Sequence, residues 1–388
     1  MSKPVVVIGA GLAGLNASLE LQKAGREVIL LESSNRAGGR VQSDQIDGFI
    51  CDRGFQLINA KYPELVALDV IKELDFRFAE PVINIALDEN IHKLGDPRKY
   101  PFSIFDSATG TIFEKSALLK ALIGKPRQDQ SIADYLEKSG LGKTYELVLK
   151  PFLRGVYLTK LENISAPVGL EIIRSFITGK PGIPANGAGA LTQVLANRVN
   201  DLRLGVTVHA IKKGVVQTES GPIAASAILV ATDSTTAAQL LELPAVTKLA
   251  GCTTWYHSAD VAPVPHGQLI IDGQARGCVI NTLVISNFIP EFAPTGKHLI
   301  STTTDIGATE SDVRRHLATI YGSDNRTWDL IAKYEIPAAL PISTKRITQP
   351  IESAVSEGIY VAGDGLVGPS QNGALKSGRL AASAILAN

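Results

Sequence analysis

The chain has 388 residues, of which 45% are apolar and 35 are glycines, a composition that excludes disorder and favours a soluble α/β protein of two domains. Lys plus Arg and Asp plus Glu each number 38, so the net charge is zero and gives no electrostatic basis for binding nucleic acid. Three distant cysteines and six histidines show no metal-ligand or disulfide spacing, so we predict no metal site and a reducing, cytoplasmic location.

A strand–helix–strand unit is predicted at the N-terminus. The apolar run PVVVI at 4–8 indicates a buried strand, and 12–24 a helix with Leu15 and Leu19 on one face. The run EVILLE at 27–32 indicates a second strand. Because glycines interrupt the N-terminal apolar run and acidic residues follow closely, a signal peptide is excluded.

A GxGxxG pattern, GAGLAG, lies between the first strand and the helix. Gly9 predicts a tight turn, Gly11 a close approach of the backbone to a pyrophosphate, and Gly14 close packing of helix on strand. Free N–H groups at the helix start would then bind the phosphate oxygens: those of Leu12 and Ala13.

Glu32 ends the second predicted strand, where its carboxylate would accept hydrogen bonds from ribose hydroxyls and repel a 2′-phosphate. The sequence RAGGR follows shortly after. Its glycines, Gly39 among them, would let a second stretch of backbone approach the ligand, and Arg36 and Arg40 would neutralise the pyrophosphate. The alternative for each motif is a glycine-rich or basic surface turn, but the combination favours a dinucleotide site, and Glu32 disfavours NADP.

The rest of the chain alternates between sheet and helix. The further elements predicted in chain order are a hairpin turning at Asp47-Gly48, a mostly helical insertion through 91–177, a helix from 187, an alternating strand at 202–210, a buried strand at 228–233, a sheet within 244–342, a strand at 359–362 and a closing helix from Gln371.

Several separated motifs resemble one family. Residues 9–40 resemble the N-terminal signature of the FAD-dependent amine oxidase superfamily, which includes flavin monoamine oxidases, protoporphyrinogen oxidases and phytoene-type carotenoid desaturases. Residues 358–383, GIYVAGDGLVGPSQNGALKSGRLAAS, resemble its closing flavin-binding motif. Residues 47–64 and 152–165 are similar to desaturase segments. The resemblance implies an FAD-dependent oxidoreductase.

The resemblance also implies a fold and a domain order. It implies an α/β fold with a Rossmann-like FAD-binding domain, whose parallel sheet has a β-hairpin or β-meander crossover, and an interleaved α+β substrate-binding domain. We expect 1–85, 186–243 and 346–388 to form the FAD-binding domain. We expect 86–185 and 244–345 to form the substrate-binding domain.

Contacts with the cofactor follow from matching positions. The resemblance implies that Val208 presents its backbone to adenine and that Asp364 holds a phosphate or ribityl oxygen, although Asp364 is also explained as a turn or helix-capping residue. Backbone N–H groups at the closing helix would meet the flavin pyrimidine. The predicted cofactor-binding residues are Gly9, Gly11, Leu12, Ala13, Gly14, Glu32, Ser33, Arg36, Gly39, Arg40, Gly54, Phe55, Gln56, Val208, Gly363, Asp364, Gln371 and Asn372.

The closing motif departs from that of monoamine oxidases. Ser370-Gln371-Asn372 stands where those enzymes place one of two aromatic residues beside the flavin, and no aromatic residue follows Tyr360. The resemblance is therefore nearest to the desaturase-like branch. We expect transfer of a hydride from a C–H or C–N bond of a largely apolar substrate to flavin N5, with no identified catalytic residue, and reoxidation by oxygen or a quinone.

Other functions stay open at this point. A flavin amine oxidase, a protoporphyrinogen oxidase, a non-redox flavoprotein such as an isomerase, an NAD-dependent reductase and a module that only holds FAD are the alternatives. Basic and apolar residues mix between 91 and 130, with Phe102 and Phe105 near Lys120 and Lys125. This segment is interpreted either as a solvated face or as a peripheral contact with a membrane.

Overall fold

The N-terminal strand–helix–strand unit forms as predicted and is part of a six-stranded sheet. The structure is a computed structural model that describes residues 3–212, 214–243, 248–342 and 353–388. Five strands of this sheet are parallel and the last edge strand is antiparallel to its neighbour. From one edge to the other, the strands are Leu202–Leu204, Val28–Glu32, Val5–Ile8, Ala227–Val230, Ile359–Val361 and Ala354–Ser356.

The first strand is apolar at every position because both faces of the sheet are covered. Val5 and Val7 belong to the core beneath the helices, whereas Val6 and Ile8 belong to the core on the opposite face. All four side chains are buried. A parallel sheet covered on both sides requires such a continuous apolar run, and the expected α/β class is confirmed.

Two helices from opposite ends of the chain pack on one face of this sheet. Helix Leu12–Lys23 follows the first strand, and helix Gln371–Ala387 closes the chain. A Cβ on Gly378 would overlap the carbonyl oxygen of Ala13, so the two backbones are in direct contact. The side chain of Asn16 donates a hydrogen bond to the carbonyl oxygen of Leu375 at 2.8 Å.

The predicted hairpin is present and has the predicted turn. Strands Ser43–Ile46 and Phe49–Asp52 pair antiparallel. Asp47 and Gly48 both have positive φ, 48° and 82°, as the two central residues of a tight hairpin turn require.

The predicted single strand at 202–210 is wrong. Leu202–Leu204 joins the parallel sheet, whereas Val208–Lys212 belongs to a separate three-stranded antiparallel sheet with Val215–Thr218 and Gly221–Ala224. Gly205, with a φ of +68°, turns the chain between them. Because apolar residues alternate on both sides of this turn, the sequence pattern did not reveal the turn.

A seven-stranded, mainly antiparallel sheet forms the second layer of the molecule. The region 244–342 was predicted as sheet, and its strands are present, but helix Glu310–Tyr321 was not predicted. This helix packs its buried Val313 and Leu317 into the core of the sheet. In order, the strands are Asp329–Pro341, Leu249–Ala259, His298–Thr304, Val279–Val284, Ile270–Asp272, Val82–Leu87 and Asn90–Gly95.

The predicted helical insertion is also present and has its own apolar core. Its helices are Ile112–Ile123, Ile132–Glu137, Gly142–Thr144, Tyr145–Leu149, Lys150–Tyr157 and Ala166–Thr178. The remaining helices are Pro63–Ala67, Gly189–Asn197, Ser234–Leu240 and Ile285–Phe288, and a small sheet contains Ile58–Asn59, Pro181–Pro184 and Phe76–Phe78. Single 3₁₀ turns lie at Ile71–Glu73, Pro101–Phe105, Ser107–Thr109, Leu161–Asn163, Pro290–Phe292 and Asp364–Leu366.

The division into a cofactor domain and a substrate domain stays a proposal. Its boundary at residue 85 falls inside strand Val82–Leu87, which pairs with Ile270–Asp272 of the seven-stranded sheet. The boundary between the first segment of the FAD-binding domain and the substrate-binding domain therefore fits better before residue 82. The breaks at 243–244 and 345–346 involve residues outside the described ranges.

Among the described residues, none of the helices combines the length and the apolar character needed to cross a bilayer.

The contact between the first and last helices predicts a cost for any side chain at Gly378. In Gly378→Ala, the added Cβ meets backbone atoms of Ala13 and Ala17, which cannot move aside cheaply. We expect the free energy of unfolding to fall by about 1–3 kcal/mol, the usual cost of overpacking, in urea denaturation. Ser383→Ala, on an exposed position of the same helix, serves as the control. Equal stability of both variants would contradict direct backbone contact.

Candidate functional site

The glycine-rich turn has the geometry that the motif predicts. Gly9 has a φ of +101°, and a Cβ there would lie 2.8 Å from the carbonyl oxygen of Ala231. A Cβ on Gly14 would overlap the carbonyl oxygen of Gly9. A Cβ on Gly11, in contrast, meets no protein atom within 4 Å. Gly9 and Gly14 are thus required by packing, and Gly11 keeps an open face at the helix start.

The helix that follows begins without a capping side chain. Gly11 is its N-cap and has no side chain to accept the N–H groups of the first turn. The backbone N–H groups of Leu12 and Ala13 are therefore left for another acceptor. Such a helix start, next to an open glycine, fits a phosphate group.

Glu32 joins the turn to the second strand. One carboxylate oxygen accepts from the N–H of Ala10 at 2.8 Å, and the other from the N–H of Ser34 at 2.9 Å. The Ser33 hydroxyl also donates to this second oxygen, at 3.4 Å. Each carboxylate oxygen can accept more than one bond, so Glu32 can hold ribose hydroxyls while it stays anchored.

Val208 follows a residue that is hydrogen-bonded to the backbone of Glu32. The N–H of Val206 donates to the carbonyl oxygen of Glu32 at 2.9 Å, and strand Val208–Lys212 begins two residues later. The predicted contact of the Val208 backbone with adenine is compatible with this placement and stays a prediction.

The loop after Glu32 lies directly on the glycine-rich turn. The N–H of Gly38 donates to the carbonyl oxygen of Ala10 at 2.8 Å. A Cβ on Gly39 would lie 3.3 Å from the Cα of Gly11. Both backbones therefore border the same open space.

The two arginines of this loop have different partners. Arg40 donates to Asp364 at 2.8 Å and to the carbonyl oxygen of Ala339 at 2.8 Å, so it connects the N-terminal loop with the closing motif. Arg36 instead pairs with Asp44 and donates to the carbonyl oxygen of Ser43 at 2.9 Å. Arg36 thus has a different carboxylate partner from Arg40, and its predicted contact with a pyrophosphate stays a prediction.

Two amide side chains lie at the other end of the groove. Gln56 donates to the carbonyl oxygen of Arg40 at 2.8 Å, and Gln371 donates to Gln56 at 3.1 Å. The Oε1 atom of Gln371 is buried and has no hydrogen-bond partner among the described residues. Gly54, with a φ of +96°, and Phe55 immediately precede Gln56. An acceptor buried without a partner indicates a missing donor.

The closing helix also starts with free N–H groups. Ser370 is its N-cap and accepts only from the N–H of Gly373, at 2.9 Å. The backbone N–H groups of Gln371 and Asn372 are left free by this cap, whereas the Asn372 side chain accepts from the N–H of Glu64 at 3.2 Å. The N–H of Gly363 donates to Ser377 at 2.9 Å, which places the preceding turn against this helix.

The three motifs thus form one groove. Glu32 lies at one end, the open face of Gly11 and the Arg40–Asp364 pair lie in the middle, and Gln371 lies at the other end. The free N–H groups, the open glycine face and the unpartnered amide oxygen fit an extended dinucleotide that ends in a hydrogen-bonding ring. Within the described residues, no group of three or more potential metal ligands comes together.

Asp52 was not predicted, although it connects two segments of the chain close to Gly54. Its Oδ1 accepts from the Ser43 hydroxyl at 2.5 Å and from the N–H of Ala188 at 3.0 Å, while Oδ2 is buried without a partner among the described residues. Burial raises the pKa of Asp52 to about 6, and these hydrogen bonds offset part of the increase. The feature of the sequence that could have indicated Asp52 is the position of its carboxylate, at the end of an apolar strand and directly before Arg53-Gly54.

Comparison with known proteins identifies the family. The family model for flavin-containing amine oxidoreductases matches residues 12–386. The chain belongs to this family. It is an FAD-dependent oxidoreductase, and the expected superfamily, cofactor and fold class are confirmed.

Individual relatives are distant but cover most of the chain. Coproporphyrinogen III oxidase of Bacillus subtilis (strain 168) is 24% identical over 334 residues, which are 72% of this chain and 70% of that protein. An oxidoreductase from Methanosarcina mazei is similar in structure, with a TM-score of 0.78, 18% identity and coverage of 99% of this chain and 100% of that one. A putative protoporphyrinogen oxidase from Exiguobacterium sp. 255-15 has a TM-score of 0.75, 20% identity and complete coverage of both chains. Both solved structures share the fold of this chain.

The open face of Gly11 predicts a substitution that separates cofactor binding from folding. In Gly11→Val the side chain has room in the protein, because no atom lies within 4 Å of the new Cβ, but it occupies the space assigned to phosphate. We expect the purified variant to keep its thermal unfolding midpoint as apoprotein and to lose at least about tenfold in FAD affinity, or 1.4 kcal/mol. Flavin fluorescence titration measures the affinity. Full FAD retention would contradict the assignment of this groove.

Burial of Asp52 predicts a pH dependence of stability. The folded carboxyl keeps its proton up to a pKa of about 6, whereas an unfolded Asp releases it near pH 3.9. The unfolded state therefore binds fewer protons between these values, and the free energy of unfolding falls by about 2–3 kcal/mol as pH rises from about 4 to 6.

The isosteric variant tests this contribution. Asp52→Asn keeps an acceptor for Ser43 and Ala188 and removes the charge, so we expect this part of the slope to disappear in urea denaturation between pH 4 and 7. Asp260→Asn, at an exposed carboxylate, is expected to keep the slope of the unmodified protein. An unchanged slope in Asp52→Asn would show that Asp52 titrates normally.

Proposed function

We propose that this protein oxidises a C–H bond of a largely apolar small molecule, as the desaturase and porphyrinogen oxidase branch of its family does. FAD, when bound, supplies the acceptor for the hydride at N5. The observation that carries the proposal is the amide pair Gln56–Gln371, which is hydrogen-bonded at 3.1 Å. The family resemblance would put Gln371 beside the flavin, in the segment where monoamine oxidases have one of two aromatic residues. An amide pair there would not enclose a small amine as an aromatic pair does.

Apolar side chains lie near this pair. Ile336 of strand Asp329–Pro341 approaches Gly54, with its Cδ1 3.0 Å from the Cβ position of that glycine. Leu340 packs against the core of the helical insertion, and Phe55 against the core that contains Tyr256. Such side chains would exclude water and orient an apolar substrate toward the groove.

The carboxylate of the closing motif is already paired. Asp364 forms an ion pair with Arg40 at 2.8 Å, so it is not positioned as a free base. Transfer of a hydride from a C–H bond would leave a substrate cation, and the proton lost from this cation would pass to solvent, so the step would not need a protein base. The chain then contributes binding, orientation and exclusion of water, which agrees with the absence of an acid–base motif in the sequence.

The domain roles and the electron acceptor are parts of the same proposal. Residues 86–185 and 244–345 would form the substrate-binding domain, and oxygen or a quinone would reoxidise the flavin. The similarity to a coproporphyrinogen III oxidase over 334 residues favours a porphyrinogen as the first substrate to test. Peripheral contact with a membrane would give access to apolar substrates.

An anaerobic reaction of the flavin-loaded protein tests the proposal. A porphyrinogen, a polyene and a primary amine are mixed with it in turn, and the visible absorbance of the flavin is recorded. We expect stoichiometric bleaching by the porphyrinogen or the polyene and none by the amine. Gly11→Val, whose FAD affinity is expected to be at least about tenfold lower, is the control and should give a correspondingly smaller signal at the same FAD concentration.

Two results would overturn the proposal. Bleaching by the amine alone would assign the chain to the amine-oxidising branch. Product formed only with pre-reduced flavin, without net transfer of electrons, would assign it to non-redox flavoproteins.

A further inference from the structure

The helical insertion turns large apolar side chains toward solvent. We call these five residues the insertion patch: Phe102 is 84% exposed, Phe113 81%, Ile123 79%, Phe105 67% and Leu119 67%. Single exposed apolar residues are common, but a group of this size on one turn and the helix packed against it marks an interaction surface.

Helix Ile112–Ile123 does not need the patch residues in order to pack against the rest of the protein. Its inner face already packs into the insertion core through Leu118, Ala121 and Leu122. Phe113, Leu119 and Ile123 lie outside this core, and their exposure follows one outward face of the helix. The helix therefore has a second apolar face that no part of the described chain covers.

Hydrogen bonds hold the pieces of the patch together. The ammonium group of Lys115 donates to the carbonyl oxygens of Ser103 at 3.1 Å and Asp106 at 2.6 Å, which fixes the turn Pro101–Phe105 against the helix. Arg174 donates to the carbonyl oxygen of Leu122 at 2.7 Å and fixes the other end of the helix. The patch is thus a fixed surface that extends along the helix.

Positive charge accompanies the apolar surface. Residues 91–130 contain seven basic and four acidic side chains, whereas the whole chain is neutral, so the rest of the molecule carries a negative excess. Lys120 and Lys125 are exposed and form no ion pair with any described residue. Apolar side chains next to unpaired lysines are complementary to an apolar layer bordered by anionic groups.

We propose that the insertion patch docks on the surface of an anionic phospholipid bilayer. Phe102, Phe105 and Phe113 would enter the boundary between headgroups and acyl chains, and the two lysines would contact lipid phosphates. The supply of an apolar substrate from this bilayer rests on the proposed function, whereas docking itself does not.

A second copy of the chain fits this surface less well. In a symmetric dimer the same patch faces itself, which brings Lys120 and Lys125 of both copies together. Juxtaposed like charges disfavour such a complex. Anionic lipid satisfies both the apolar and the charged parts of the surface.

Co-sedimentation with lipid vesicles tests the proposal on the flavin-loaded protein. We expect binding to vesicles that contain phosphatidylglycerol and much weaker binding to pure phosphatidylcholine. Phe102→Ser/Phe113→Ser should weaken binding by at least about tenfold per side chain, the effect of losing a buried Phe. Lys120→Glu/Lys125→Glu should also weaken it, and added salt should reduce it.

A matched control and a second readout keep the outcomes distinct. Val261→Ser changes an equally exposed apolar residue outside the patch, 78% exposed, and should bind vesicles like the unmodified protein. Binding of Phe102→Ser/Phe113→Ser at the unmodified level would overturn the proposal. The proposal would also be overturned if the protein self-associated without binding vesicles and Phe113→Ser abolished that self-association. Flavin bleaching by detergent-solubilised substrate should be unchanged in all patch variants, so failure of docking is distinguished from failure of the proposed function.

Discussion

The cofactor groove depends on direct contact between the backbones of the first and last helices. Gly378 leaves room for the carbonyl oxygen of Ala13, and Asn16 is bonded to the carbonyl oxygen of Leu375 at 2.8 Å. With any larger residue at Gly378 the closing helix would move away from the glycine-rich turn. The Arg40–Asp364 pair then completes the connection between the two ends of the chain.

Much of the fold around the glycine-rich turn could be predicted because its sequence pattern is local. An apolar run, a glycine turn, a helix and a second apolar run follow each other without interruption, and each glycine has one geometric reason. The strand at 202–210 and helix Glu310–Tyr321 depend instead on partners distant in the chain. Gly205 turns the backbone between two sheets, and a strand pattern does not show in which sheet a residue will pair.

The geometry of the candidate site could be predicted where it depends on the backbone, and less so where side chains compete for partners. Gly11 and the start of the closing helix have the free N–H groups that the motifs predicted. Arg36 shows the limit, because sequence spacing could not reveal that Asp44 is its partner. Asp52 was missed because its role, which is to hold Ala188 and Ser43 in place, involves residues from two separate segments.

The meeting of the two chain ends also sets the time at which the groove can be completed. The hydrogen bond between Asn16 and Leu375 joins residues 359 positions apart. A ribosome that adds roughly 5–20 residues per second needs about 20–70 seconds to make the intervening chain. During that interval the glycine-rich turn exists without the helix that completes the groove. The contacts between the first and last helices are therefore complete only after the segment around Leu375 has been synthesised.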